Sequence, residues 1–401
     1  MGRRDYINLL PKELLSDVFI RLPAKSLGQC KCVSKSWKSL ISDPNLIQTH
    51  LIRASVTKLM LISFHSDPCG MYTTDFFHDA RYDYKNPNCK KLLKTVLARM
   101  KAQRETKKKL NFKNSSNRWT KVWGSCDGLI LVQNDLLHPA LYVLNPTTLE
   151  SRKLPLLPLQ FYQLSTCNTF GFGYDFSCDD YAVVAISSLS GSATVAYVSM
   201  LKASQWKRVA DPPFDLIKRV AGIFLEGSLH WLSEKSMIIW AYNIAEKEFS
   251  GVPLPIGVFD SNSVFPRLGV LKGCLCLFSN VINSVSELYV MKEYGVVGSW
   301  TKLSVVLSDV SHVASLNFRD DSSGFPEHGD SVLLVSNAKF SDLYDTEVLG
   351  LPNDFRVGMT FVESLVSPEK DGNKNTREKK SETIPRPRQC RYDMSGWLKA
   401  W

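Results

Sequence analysis

The sequence lacks long hydrophobic runs. None of the 401 residues lies in an apolar stretch that approaches the roughly 20 residues needed by a membrane-spanning helix. No apolar run of about 7–15 residues, as found in a secretory signal, follows the opening Met1-Gly2-Arg3-Arg4-Asp5. These absences predict a chain without integral membrane association, located in the cytoplasm, the nucleus or both.

The sequence also lacks the short motifs of common enzyme classes. It has no glycine-rich phosphate loop with its lysine, no His-Glu-x-x-His and no Gly-x-Ser-x-Gly. Its seven histidines show no metal-ligand spacing, and His230, in a predicted strand, is expected to be structural. The acidic pairs Asp179-Asp180 and Asp320-Asp321 are expected in turns. We therefore predict a protein that is not an enzyme and has no catalytic residues, metal or cofactor.

Ten cysteines are present, but none has the Cys-x-x-Cys spacing of zinc or redox sites. Two Cys-x-Cys pairs occur, Cys30 with Cys32 and Cys274 with Cys276. On a strand the members of the second pair would share one face. We expect the cysteines to be reduced and mostly buried as small apolar residues, which fits a cytosolic or nuclear protein.

Positive charge is concentrated in a few segments. The formal net charge is +10, yet residues 85–121 alone contain 13 lysines and arginines against the single acidic residue Glu105. Outside residues 1–53, 85–121 and 367–401, 18 basic residues stand against 29 acidic ones. The predicted body is therefore acidic, which argues against nucleic-acid binding and favours a basic partner.

The basic segment 85–121 contains an apolar stripe at helical spacing. The stripe comprises Leu92, Leu93, Val96, Leu97 and Met100. A basic amphipathic helix of this kind suits a calmodulin-type target, a membrane-surface helix or an anchor for an acidic partner. The simplest interpretation is a surface insert between two strands. Residues 369–401 form a charged tail that is predicted to be mostly disordered.

Residues 9–51 have the clearest helical pattern in the chain. A first apolar stripe ends at Leu22-Pro23, because proline disfavours the helical conformation of the residue before it. This stripe comprises Leu10, Leu14, Leu15, Val18, Phe19 and Leu22. A second stripe at 33–41 stops at Asp43-Pro44, and a third starts at Leu46. Three short helices in about 40 residues are too small for a comfortable core of their own, so they should bury apolar surface against another protein or domain.

This helical module resembles the plant F-box. The resemblance lies in four runs: LPKELL from Leu10, RLPAKSL from Arg21, CVSKSW from Cys32 and LISDP from Leu40. In that family the module binds a Skp-family linker protein, which is held by a cullin scaffold. The resemblance implies that nine residues supply core and linker contacts: Leu10, Pro11, Leu14, Leu15, Phe19, Leu22, Pro23, Val33 and Trp37. Gly28-Gln29-Cys30 departs from the family pattern. The alternative is a helical cap that packs on its own β domain.

From residue 54 onward, short apolar runs separated by Gly, Pro, Asn and Asp predict an all-β domain. The expected strands lie at 59–63, 129–132, 141–144, 182–186, 194–198, 238–242, 286–290 and 332–335. Three kinds of marker repeat along the domain. They are the paired glycines Gly124/Gly128, Gly222/Gly227 and Gly269/Gly273, the tryptophans Trp119, Trp206 and Trp300, and the strand-end prolines Pro155, Pro213 and Pro255.

A period of about 45–50 residues with these markers is typical of kelch-like propeller blades. The glycines would allow tight turns with positive φ, and the tryptophan would pack between blades. An irregular sandwich is the alternative. Taken in order, the segments from Gly124 to the ending Phe361-Val-Glu-Ser-Leu-Val-Ser-Pro368 resemble the F-box-associated domain of plant F-box proteins.

The two resemblances imply a small all-α F-box of three short helices at residues 1–53, followed by a mainly-β, kelch-like β-propeller domain at 54–368. They imply a substrate-recognition adaptor of an SCF-type (Skp–cullin–F-box) E3 ubiquitin ligase. Its partners would be a Skp-family linker, a cullin indirectly, and an unidentified protein substrate. One alternative is an F-box scaffold or small-molecule sensor acting outside ubiquitin transfer. Another is a kelch-like enzyme such as a copper radical oxidase, which the missing secretory signal and ligand set disfavour.

Overall fold

The computed structural model describes residues 10–53, 57–63, 71–75, 108–110, 119–134, 140–158, 161, 165–189, 194–212, 220–233, 238–255, 263–271, 273–281, 287–304 and 355–369. Four features expected from the sequence lie outside these residues. They are the basic stripe at 92–100, the strand at 332–335, the pair Asp320-Asp321 and the tail from residue 370.

Four helices, not the three predicted, occupy residues 10–53: α1 (Lys12–Ile20), α2 (Ala24–Cys30), α3 (Lys35–Ile41) and α4 (Pro44–Arg53). The helix that the sequence pattern missed is α2. It has one large apolar residue, Leu27, and it contains Gly28, which disfavours a helix by about 0.5–1 kcal/mol relative to Ala. Packing supplies what the local sequence lacks, because Ala24 and Leu27 are both buried.

Local signals set the ends of the helices. Ser34 caps α3, and its hydroxyl accepts a hydrogen bond from an amide of the first turn at 3.1 Å. The Asp43 carboxylate does the same for α4 at 2.9 Å, and Pro44 takes the first helical position, where its missing N–H costs nothing. Pro11 and Pro23 are the N-cap residues of α1 and α2, with extended backbone. The prolines therefore mark three of the four helix starts.

The helices share one small core, which a distant part of the chain completes. Its buried helical members are Phe19, Ala24, Leu27, Ile41 and Leu46. The sixth member is Leu365, which follows the last strand of the β domain and is 3% exposed. The helical module thus takes part of its core from the other end of the β region.

Twenty strands form five four-stranded antiparallel sheets within the described residues. The first sheet contains β1 (Thr57–Ser63), β2 (Met71–Asp75), β3 (Lys108–Leu110) and β20 (Phe355–Val362). The second contains β4 (Trp119–Cys126), β5 (Leu129–Asn134), β6 (Ala140–Asn145) and β7 (Glu150–Lys153). The third contains β8 (Ser165–Asp175), β9 (Asp180–Leu189), β10 (Thr194–Met200) and β11 (Trp206–Arg208).

The fourth sheet contains β12 (Ile223–Leu225), β13 (Ser228–Leu232), β14 (Ile239–Asn243) and β15 (Glu248–Val252). The fifth contains β16 (Ser263–Leu271), β17 (Cys274–Val281), β18 (Glu287–Met291) and β19 (Trp300–Ser304), with a short 3₁₀ turn (Val297–Ser299) before β19. Seven of the eight strands expected from the sequence fall within these elements or extend past one end by a single residue, and several of the observed strands are longer than expected. The mainly-β prediction is therefore confirmed for this part of the chain.

The second to fifth sheets each follow the order of the sequence, whereas the first does not. Its strand order is β20-β1-β2-β3, with β20 paired antiparallel to β1 so that Thr57 lies opposite Val362. This pairing joins the start and the end of the β region in one sheet. It also places residues 363–369 beside the helices that precede β1.

Consecutive sheets stack through apolar clusters, as blades do in a propeller. Each of the four interfaces between successive sheets has its own buried cluster. Representative members, from the first interface to the fourth, are Met60 with Trp119, Trp123 with Phe170, Val184 with Trp231, and Leu225 with Leu277. The core of the β domain is therefore distributed between sheets instead of being enclosed by two layers.

Glycine is required at two kinds of position in this stack. Gly128 and Gly227 have φ of 80° and 81° in two-residue hairpin turns, which confirms the tight turns predicted from the paired glycines. Gly222 lies where the third and fourth sheets approach each other by their backbones, and its N–H donates to the Phe170 carbonyl at 2.9 Å. A Cβ at Gly222 would lie 2.5 Å from the indole of Trp231, so no larger residue fits.

The recurring tryptophan ties neighbouring sheets at two of its three positions. Trp206 of the third sheet donates its indole N–H to the Pro155 carbonyl, beyond the second sheet, at 2.9 Å. Trp300 of the fifth sheet donates in the same way to the Pro253 carbonyl, beyond the fourth sheet, at 3.0 Å. Trp119 differs, because it begins the first strand of the second sheet and is buried in the cluster between the first and second sheets. The expected packing of tryptophan between blades thus has a specific polar contact at Trp206 and Trp300.

His230 is a structural residue that links the fourth and fifth sheets. Its side chain is fully buried, with Nδ1 3.1 Å from the Ile223 carbonyl and Nε2 2.6 Å from the Tyr294 hydroxyl. A carbonyl only accepts, so Nδ1 carries the proton and Nε2 accepts from the tyrosine. Burial lowers the pKa of His230 from 6.5 to about 4, because the charged form is poorly solvated there.

The six cysteines whose side chains the structure describes are all free thiols. Cys126, Cys274 and Cys276 are buried as expected, and burial raises the pKa of Cys276 to about 12. Cys32 and Cys178 are exposed, so the expectation of mostly buried cysteines is wrong for these two. Both lie in turns, where a short side chain has no sheet face to pack against.

Replacing Trp206 by Phe should lower the free energy of unfolding by about 1–3 kcal/mol, because the Pro155 carbonyl loses its donor. Trp300→Phe should have the same effect through the Pro253 carbonyl. Urea denaturation measures both, and Lys207→Ala, an exposed neighbour on β11, is the control that should change the value by less than about 0.5 kcal/mol. Equal stability of the wild type and both tryptophan variants would contradict the assignment.

His230 should make stability depend on pH below neutrality. The folded-state pKa of about 4 lies below the ordinary 6.5, so the unfolded chain binds the proton more readily between these values. Stability from this group is complete above about pH 6.5 and is lost as the pH falls towards about 4, by up to roughly 3 kcal/mol. Urea denaturation of wild type and His230→Gln across this range isolates the effect as a difference. Tyr294→Phe should keep this pH dependence, since burial is the main cause of the lowered pKa. Parallel stability profiles of the wild type and His230→Gln would refute the prediction.

Candidate protein-binding surface of the helical module

The structure divides the nine predicted contact residues into two groups. Leu10, Pro11, Leu14, Pro23 and Val33 are exposed, with exposed fractions of 44% for Leu10, 51% for Leu14 and 65% for Val33. Leu15, Leu22 and Trp37 are half-buried, and Phe19 is buried, with an exposed fraction of 2%. The sequence could not separate these roles, because all nine belong to the same apolar pattern.

The inward group packs within the helical module. The rings of Phe19 and Trp37 meet edge to face with centroids 4.9 Å apart. The Leu22 carbonyl accepts a hydrogen bond from Nε2 of His50, on α4, at 2.8 Å. These contacts join the first, third and fourth helices, so the residues in this group act through the stability of the module.

The outward group leaves large aliphatic side chains in solvent. Val18 follows Leu14 by one helical turn and is also 51% exposed, although it was not among the nine predicted contact residues. Ile52, on α4, is 40% exposed. A helix of a monomeric protein usually turns such residues inward, and exposed apolar groups of this size are typical of protein-binding surfaces. The period of α1 contained this signal, since Val18 belongs to the same stripe as Leu14.

The helical module is attached to the β domain on a different side. Leu365 fills its core, and Lys31, just after α2, lies close enough to Glu150 for the carboxylate to raise its pKa. Burial has the larger effect and leaves the pKa of Lys31 below its ordinary value. The module therefore packs on its own β domain without covering the outward face of α1.

Among the described residues of the β domain, the large apolar side chains that are exposed all lie in connections between strands. Phe176 is in the β8–β9 turn, and Tyr294, Val296 and Val297 are in the β18–β19 turn. Leu156, after β7, is the most exposed at 72%. Of the acidic pair expected in a turn, Asp179 lies in the β8–β9 turn with a φ of 52°, whereas Asp180 is the first residue of β9.

No group of three or more His, Cys, Asp or Glu side chains within the described residues is arranged to hold a metal ion. None of the helices in this part of the chain is long and apolar enough to cross a membrane.

Comparison with known proteins gives two family matches. Residues 88–350 match the family described as F-box associated beta propeller domain, and residues 7–53 match the family described as F-box-like. An F-box/kelch-repeat protein of Arabidopsis thaliana is 27% identical over 372 residues, covering 90% of this chain and 96% of the relative. The F-box protein CPR1 of the same organism is 30% identical over 328 residues, covering 74% of this chain and 73% of the relative. Another Arabidopsis thaliana F-box protein is 25% identical over 323 residues, with coverages of 73% and 71%.

Proposed function

Because this chain belongs to the family of plant F-box proteins with an F-box associated beta propeller domain, we propose that it is a substrate-recognition adaptor of an SCF-type E3 ubiquitin ligase. The helical module binds a Skp-family linker, and a cullin scaffold is recruited through that linker. The β domain holds a target protein. The chain itself performs no chemistry; ubiquitin transfer belongs to the ring-finger and E2 partners of the complex, in the cytoplasm or the nucleus.

The observation that carries this proposal is the open apolar face of α1 on a module that is anchored elsewhere. Leu14 and Val18 of α1, and Val33 in the turn between α2 and α3, are each at least half exposed, while Leu365 packs into the buried core of the module. Full burial of such a side chain from full exposure contributes about 1.5–3 kcal/mol, and roughly half of that is available here because each is already partly buried. A partner that covers two or three of them therefore gains part of the free energy that stable association requires.

We also infer that the five sheets belong to a closed β-propeller. The pairing of β20 with β1 supports this, because a ring needs one sheet that contains both the first and the last strands. Stacking of each sheet on the next through a buried cluster supports it as well. The turns between strands present the substrate-binding side chains, and the acidic balance of the body favours a target segment that carries lysine or arginine.

Leu14→Ala combined with Val33→Ala should weaken binding of a purified Skp-family linker by about 100-fold or more, because two buried aliphatic contacts are lost. Isothermal titration calorimetry with the full chain measures the affinity. The melting temperature should stay within a few degrees of the wild type, since both side chains are exposed. Leu156→Ala, the exposed apolar residue on the β domain, is the matched control and should bind normally. A folded double variant with wild-type affinity would remove the linker-binding proposal.

The same double variant separates target binding from target turnover. Removing residues 1–53 would expose Leu365, so the double variant is the better choice for capturing the target. In cells the double variant should stay bound to its target, and the level of the target should be higher than in cells with the wild-type chain. Quantitative mass spectrometry of the purified complexes measures both. An F-box protein acting outside ubiquitin transfer would instead bind the linker without cullin and leave the target level unchanged.

A further inference from the structure

Asn145, the last residue of β6, has a fully buried side chain whose two ends perform different tasks. Its Oδ1 accepts hydrogen bonds from the amides of Thr147 at 2.7 Å and Thr148 at 3.3 Å, which closes the β6–β7 turn. Its Nδ2 points the other way. It donates to the Ser364 carbonyl at 3.0 Å and to the Val366 carbonyl at 2.7 Å, with the Ser364 hydroxyl at 3.4 Å.

The two carbonyls held by Asn145 belong to the residues on either side of Leu365. Leu365 is the side chain that the β domain inserts into the core of the helices. One amide group of the second sheet therefore grips the backbone immediately before and after the contact between the two domains. We call residues 362–368 the return segment, because they lead from β20 back to the helical module.

The return segment contacts the β domain on both sides of Leu365. Before Leu365, Glu363 pairs with Lys58 of β1 at 2.7 Å, and a Cβ at Gly128 would lie 2.4 Å from Ser364 Oγ. After it, Arg152 of β7 donates to the Pro368 carbonyl at 3.3 Å. Because these contacts hold the residues on both sides of Leu365 against the β domain, the position of Leu365 follows the position of the second sheet.

A second turn in the chain shows which part of this arrangement is special. Asn243 ends β14 as Asn145 ends β6, and its Oδ1 accepts from the amides of Ala245 at 3.0 Å and Glu246 at 3.1 Å. The turn residues Leu149 and Lys247 have almost the same positive φ, 62° and 63°. Asn243 is half-buried, however, and its turn lies in the fourth sheet, away from the return segment. The turn alone therefore requires only the side-chain oxygen, and the buried amide of Asn145 serves the contact between domains.

We propose that Asn145 is the positioning residue that fixes the helical module in one orientation relative to the β domain. Its Nδ2 holds the return segment on the second sheet, and Leu365 carries that constraint into the helical core. The two domains then move as one body. For a substrate adaptor, a rigid arm of this kind sets the distance and direction between a bound target and the linker, which a flexible tether does not. This last consequence rests on the proposed function; the orientation itself does not.

The test is Asn145→Asp with Asn243→Asp as its matched control. In both variants the retained oxygen can still close the turn. At position 145 alone, a carboxylate oxygen replaces the amide and faces two carbonyl oxygens in a buried site. Spin labels attached to genetically encoded unnatural amino acids at the exposed positions 25 and 207 report the distribution of distances between the helical module and the β domain. Hydrogen exchange of peptides covering the return segment reports its attachment.

We expect a single narrow distance distribution in the wild type and in Asn243→Asp, and a broadened one in Asn145→Asp. Exchange in the return segment should be about tenfold faster or more in Asn145→Asp alone. If Asn145→Asp does not fold, Asn145→Ser keeps an acceptor for the turn without adding charge and is compared with Asn243→Ser. A wild-type distribution in the folded Asn145 variant, or equal broadening in both variants, would overturn the proposal.

A functional readout separates this inference from the adaptor role. In a reconstituted ligase, both variants should bind the Skp-family linker with wild-type affinity, because the outward face of α1 is unchanged. Asn145→Asp should spread ubiquitin transfer to the chain's own lysines over more positions than the wild type or Asn243→Asp. Failure of the wild type to bind the linker would defeat the proposed function and leave the distance test intact. A distance distribution unchanged by Asn145→Asp would defeat the inference whether or not the linker binds.

Discussion

Leu365 is the contact on which the arrangement of this protein depends. Four helices of seven to ten residues cannot enclose a core by themselves, and the largest fully buried side chains among them are Phe19, Leu27 and Ile41. A side chain delivered from beyond β20 closes that core from the β-domain side. The closure is possible only because β20 returns to pair with β1, the strand that follows the helices. The pairing of β20 with β1 therefore also brings Leu365 to the core of the helices.

This arrangement leaves the helical module with two different apolar surfaces. On the side that faces the β domain, Leu365 of the return segment completes the buried core. The outward side of α1 keeps Leu14 and Val18 in solvent, at a cost in free energy that the folded chain does not recover by itself. An adaptor needs this asymmetry, because the module must stay attached to its own chain while it presents apolar surface to another protein.

The β domain has a different constraint, because several small sheets must stack on one another. Each sheet has two faces to bury, and the buried clusters lie between successive sheets instead of inside any one of them. Polar contacts add direction between the second and third sheets and between the fourth and fifth. The indoles of Trp206 and Trp300 reach carbonyls beyond the preceding sheet, and His230 bonds to Tyr294 of the following one. The stack is therefore specified by a few directional bonds added to non-directional burial.

The sequence by itself determined the local periods and turns. Helical spacing together with Pro23 and Pro44 located the module. Short apolar runs and paired glycines located the strands and hairpins, and the motif series identified the family resemblance. Only the tertiary structure decided three things. It formed α2 around the burial of Leu27, it turned Leu15 inward and Leu14 outward from one stripe, and it directed the amide of Asn145 to the return segment. The reason is that periodicity and turn chemistry act between residues near in sequence, whereas these outcomes depend on which distant surface, here that of residues 362–368, lies against them.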